Sequence, residues 1–160
     1  MSPTNQLNYI FYLGSLSLAF MLRILPLPPS VQLIAPDWVL LVLIYWLLSE
    51  PHKIGIFHAF LIGLLIDVLT GRILGQHPSG YIFAAYLCLT LHKRLQNIRL
   101  IQQCFFIFLI LFIAQLIILW TDTFQHPLSY NTAFWLPALS GTLFWPVVKY
   151  LLHRCQQGFH

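Results

Sequence analysis

Few side chains in this sequence are able to do chemistry, and one of them stands apart. Asp67 is a carboxylate set inside an apolar stretch, Gly63-Leu-Leu-Ile-Asp67-Val-Leu-Thr-Gly71. At membrane depth a charge costs on the order of 3 kcal/mol on insertion scales, so it must face protein or water. Its candidate partners are Arg72, Thr70 and the backbone of a neighbouring helix. It is either a protonated or hydrogen-bonded structural residue or takes one of three functional roles: a proton relay, an ion ligand or an interhelical pin. Acid–base work needs a second group within hydrogen-bond reach, and Asp37, Glu50 and Asp122 all fall at the ends of apolar runs. His52, His92, His126, His153 and His160 sit at boundaries or in tails, with His58 inside a run. No H-E-x-x-H is present, nor any Asp or Cys at metal-ligand spacing. Cys88, Cys104 and Cys155 lack CxxC spacing. There is no nucleophile elbow, no Ser-x-x-Lys and no glycine-rich phosphate loop. The pattern predicts a chain without enzymatic activity, metal or cofactor.

What must position Asp67 follows from composition. Hydrophobic residues make up 59% of 160 and charged residues 8%, against about 25% charge in a soluble domain. Mean hydropathy is +0.78. A water-facing surface cannot be built from this, and disorder needs the opposite composition. Eight Lys and Arg are too dispersed to track phosphates, which excludes nucleic acid. The partner that composition demands is the lipid bilayer.

A spanning helix needs about 20 mostly apolar residues. Runs 7–25, 54–74 and 100–120 meet this, and run 134–152 does so with Pro137 and Pro146, where a kink is expected. Runs 38–48 and 81–91 are short. The expectation is one polytopic domain over residues 1–160, an all-α integral membrane bundle of six helices with two of them short. Lys and Arg accumulate on the cytoplasmic side of membrane proteins. Six spans place Lys53, Lys93, Arg94, Arg99, Lys149 and Arg154 on one side and only Arg23 and Arg72 on the other. Both termini are then cytoplasmic. If run 38–48 does not span, the N-terminus moves outside and the C-terminus stays in.

Gly55, Ala59, Gly63, Asp67, Gly71 and Gly75 recur every four residues. On a continuous helix they form one ridge of small residues, the pattern that lets membrane helices approach closely. The ridge serves either packing within the chain or docking of a partner's helix.

Two stretches carry a resemblance. The first is Ala-Pro36-Asp37-Trp38-Val-Leu-Leu-Val-Leu-Ile-Tyr45-Trp46 followed by Pro51-His52-Lys53; the second is the Asp67 segment through Gly75, with a later Phe144-Trp145-Pro146. The chain resembles the MreD family, small inner-membrane members of the bacterial rod shape-determining system. That resemblance implies a non-catalytic scaffold that binds the bitopic protein MreC. It further implies work alongside the MreB filament, the glycosyltransferase RodA and its penicillin-binding transpeptidase in cell elongation and peptidoglycan synthesis. The implied fold is similar to the six-helix S components of energy-coupling-factor transporters. The family's motifs map onto Gly63, Asp67, Gly71 and Gly75 and onto Pro36 and Trp38. The alternative is a small-molecule or lipid binder of S-component type, for which the spans offer few convergent polar groups beyond Asp67 and Gln115.

Overall fold

The computed structural model describes residues 3–123 and 132–158. His126, Phe159 and His160 lie outside the described residues. Within them every regular element is helical: α1 (Pro3–Ile24), the single turn α2 (Pro29–Gln32), α3 (Trp38–Ser49), α4 (Ile56–Thr70), α5 (Gln76–Asn97), α6 (Leu100–Thr123) and α7 (Leu136–Gly158). A 3-10 turn, Thr132–Trp135, leads into α7.

α3 is the centre. Pro36 and Pro51 bound it, Asp37 caps it by accepting the Leu40 amide at 3.3 Å, and every residue from Val39 to Leu48 is buried. A helix that is apolar all round belongs in a core. α1, α5 and α7 enclose it, while α4 packs on α5, and α6 on α5 and α7. Two polar groups at the core's edge are paired: Trp46 Nε1 donates to Ser15 Oγ at 3.0 Å, and Tyr45 Oη donates to Gln156 Oε1 at 2.8 Å.

The outer surface is apolar. Ile10, Met21, Phe57, Val68, Ile101 and Leu143 are all exposed, and only 22% of the most apolar stretch of α6 is buried. A surface of this kind needs lipid as its solvent. α6, at 24 residues, rises about 36 Å and, among the described residues, is the one helix long and apolar enough to cross by length and composition.

Helix lengths depart from the hydropathy reading in two places. Run 54–74 becomes a 15-residue helix that stops at Thr70. Run 81–91 grows into the 22-residue α5, so the second short helix is α4 and not α5. α5 begins at Gln76 because its first amides need no partner inside the helix, and Pro78, which has none, sits there without loss.

The expected ridge is divided accordingly. Ala59, Gly63 and Asp67 are buried on α4, whereas Gly55 caps its start and Gly71 and Gly75 lie beyond its end. A Cβ on Gly63 would sit 2.6 Å from Pro78 Cα, inside the α5 backbone, while one on Gly14 would meet nothing within 4 Å. Gly63→Ala should therefore destabilise the protein by about 1–3 kcal/mol, as overpacking does. Gly14→Ala should be neutral or slightly stabilising. Thermal unfolding in mild detergent checks both.

Candidate functional site

Asp67 lies one turn before the end of α4, and its carboxylate closes the turn into α5. Gly71 adopts φ +65° and Gly75 φ +109°, left-handed conformations that glycine takes without strain. Gly71 ends α4 as its left-handed cap, and the Arg72 amide returns to the Asp67 carbonyl at 3.0 Å. The chain then comes back so that Asp67 Oδ2 accepts the Gly75 amide at 2.8 Å. Asp67 Oδ1 accepts the His77 amide at 3.2 Å and pairs with His77 Nδ1 at 2.7 Å. Asp67 is fully enclosed, at 0% exposure. A carboxylate against the first amides of a helix also meets the positive end of its dipole. Its partners are therefore Gly75 and His77; Arg72 contributes only its backbone.

The network continues through His77. Arg23, in the last turn of α1, reaches His77 Nε2 with Nη2 at 3.1 Å and Asp37 Oδ1 with Nη1 at 3.3 Å. A guanidinium can only donate, so His77 Nε2 accepts and Nδ1 carries the proton given to Asp67. Tyr81, one turn on from His77 and fully buried, donates its hydroxyl to Asp37, at 2.8 Å from Oδ1 and 2.7 Å from Oδ2. Asp37 is thus no solvated acid at a span end: its side chain is 12% exposed, and it joins α1, α3 and α5. Five residues from three helices and the cap of a fourth form one chain of bonds: Asp67, His77, Arg23, Asp37 and Tyr81.

This chain borders a cavity of about 700 Å³ at one end of the bundle, where α1, α4 and α6 end and α3, α5 and α7 begin. Pro36, Asp37 and Trp38 line it, as do Arg23, Arg72, His77 and Asp122. Trp38 also packs on Phe144, ring centroids 5.2 Å apart. Tyr45 and Trp46 lie at the other end of α3, away from this cavity. Convergent polar groups, which the sequence did not reveal, are present here. Among the described residues no cluster of three His, Cys, Asp or Glu is placed to hold a metal, and the cysteines are free.

The family model for the rod shape-determining protein MreD matches residues 4–155. The chain is also 30% identical over 151 residues to the rod shape-determining protein MreD of Haemophilus influenzae, covering 94% of this chain and 93% of that protein. The chain belongs to the MreD family. Its role accordingly lies in bacterial cell shape, in a membrane-embedded helical protein. No solved structure matches it significantly. The resemblance, read over nearly the whole chain with Pro36 to Gly75 as its specific part, is matched by a family span of residues 4–155. The residues that sequence reasoning missed are His77, Arg23, Tyr81 and Gln76.

Both oxygens of Asp67 accept hydrogen bonds, so an amide cannot replace the carboxylate without loss. Asp67→Asn should cost about 1–3 kcal/mol, because one donor is left facing an NH2 group. Asp67→Ala should cost more, since it strands the donors of both Gly75 and His77. Unfolding midpoints in detergent check the order wild type, Asn, Ala; an Asn variant as stable as wild type would remove the carboxylate from this role.

Proposed function

We propose that this chain is a non-catalytic scaffold of the cell-elongation complex that holds the membrane segment of an MreC-like bitopic partner, and through it supports the MreB filament, RodA and its transpeptidase in peptidoglycan synthesis. The family match over residues 4–155 carries the reading. The proposed topology has six spans, α1 and α3 to α7, in the inner membrane with both termini cytoplasmic. What supports it is the alternation of helix ends around the cavity and the split of charge, with Arg23 and Arg72 at the cavity end and Lys53, Lys93, Arg94, Arg99, Lys149 and Arg154 towards the other.

Apolar burial does little between helices already in lipid, so partner binding must come from close packing and interhelical hydrogen bonds. Ala59 and Gly63 are already taken up by packing within the chain, and α3 is enclosed. That leaves the outward faces of α4, with Leu61 and Leu65, and of α7, with Leu139 and Leu143, all exposed. Single cysteines there, in a variant lacking the native three, should crosslink to the partner from one of these faces. Cysteines at Ala59 should give no product. Restored rod shape without a crosslink from either face would contradict the docking assignment. A reporter active only in the periplasm, fused at the C-terminus, should stay dark.

A second reading, binding of a small molecule or lipid, is favoured by one observation: the polar cavity beside the Asp67 network.

A further inference from the structure

Buried polar groups almost always find partners, and this cavity breaks the rule twice. Gln76 Nε2 and Gln115 Oε1 are both buried without a hydrogen-bond partner, and both residues line the cavity. Gln76 is only 4% exposed and opens the first turn of α5. The charges in the cavity divide in the same way. Arg23 and Asp37 satisfy each other at 3.3 Å, and His77 is engaged on both ring nitrogens. Arg72 and Asp122 line the same wall space with no side-chain ion pair among the described residues. The unpaired charges and buried unpaired polar atoms are therefore one cation, one anion, one amide NH2 and one carbonyl acceptor.

That residue set is complementary to a zwitterion. An anionic group meets Arg72 and the Gln76 amide; a cationic group with N–H donors meets Asp122 and the Gln115 carbonyl. A quaternary ammonium has no N–H to give, whereas a primary ammonium gives three, enough for both acceptors. Guanidinium prefers the oxygens of phosphate or carboxylate. The apolar part of the lining decides between them. Leu25, Leu69 and Leu119 border the cavity and are themselves exposed on the lipid-facing surface, so an acyl chain can run from the cavity along the outside of the bundle. The volume, about 700 Å³, falls within the roughly 300–1,000 Å³ usual for ligand sites.

We propose that this cavity is a binding site for a phosphoethanolamine group, the phosphate held by Arg72 and Gln76 and the primary ammonium by Asp122 and Gln115. The site stands independently of partner docking. Its ligand chemistry has two sources, a bilayer lipid carrying that headgroup or the free water-soluble phosphodiester.

The test uses the full chain purified without partner and delipidated in mild detergent. Native mass spectrometry measures retention of phosphatidylethanolamine, phosphatidylcholine and phosphatidylglycerol of identical acyl chains; thermal shift measures binding of soluble glycerophosphoethanolamine. The expected result is at least tenfold stronger retention of the ethanolamine lipid than of the other two. Arg72→Gln and Asp122→Asn should each abolish that preference while leaving the unfolding midpoint of the ligand-free protein unchanged. A shift with the soluble compound and no lipid preference would identify the free phosphodiester as the ligand, provided the same two variants abolish the shift. Equal retention of all three lipids with no response to the soluble compound would overturn the proposal, leaving water as the partner of both glutamines. Unchanged ethanolamine selectivity in both variants would also overturn it.

Discussion

Everything at the cavity end of this bundle depends on where a single buried carboxylate gets its hydrogen bonds. Asp67 has no access to water, so its desolvation must be offset by donors held in fixed positions. The chain provides them by ending α4 at a left-handed glycine, turning back at a second, and starting α5 so that two of its first amides and the His77 ring point at the carboxylate. The geometry of the turn and the packing of α4 on α5 are thus one constraint. Gly63, against the backbone of Pro78, lets the two helices lie close enough for it to be met.

From there the constraint propagates by donor and acceptor logic. His77 gives its one proton to Asp67 and must accept from Arg23. Arg23 anchors the end of α1 to Asp37, and Asp37 caps α3 while accepting from Tyr81. Two carboxylates and one guanidinium are accommodated here because each is paired: all four carboxylate oxygens accept, and Arg23 donates to both His77 and Asp37; a half-satisfied network would be worse than an apolar one. The unmatched glutamines mark where the design stops being self-contained.

Much of the architecture was legible from residue types. Pro36 and Pro51 bounded the central helix, the apolar runs located the six α-helices longer than one turn among the described residues, and Asp67 stood out as a carboxylate that had to face protein or water. The period-four glycines were legible as important but ambiguous in kind. Small residues four apart describe a ridge only if the helix continues, and Gly71 and Gly75 instead supply the two positive φ angles that end it. α5 was read too short because Gln76-His77-Pro78-Ser79-Gly80 has the composition of a loop, and hydropathy does not register that a helix's first turn tolerates polar residues and proline. His77 was hidden by the same stretch. The Arg23–Asp37 and Asp37–Tyr81 contacts join residues 14 and 44 positions apart, and no local pattern encodes such pairings. Asp37 therefore looked like a cheap, solvated end-of-helix acid.

Asp67 and Tyr81 share no hydrogen bond, yet they belong to one network through His77, Arg23 and Asp37. A double-mutant cycle on Asp67→Asn and Tyr81→Phe, read by reversible unfolding in detergent, measures this directly. Independent sites add within about 0.3–0.5 kcal/mol. A connected network predicts that the double variant is less destabilised than the sum of the singles by more than that margin. Strict additivity would mean two separate structural pins that happen to share one end of the bundle.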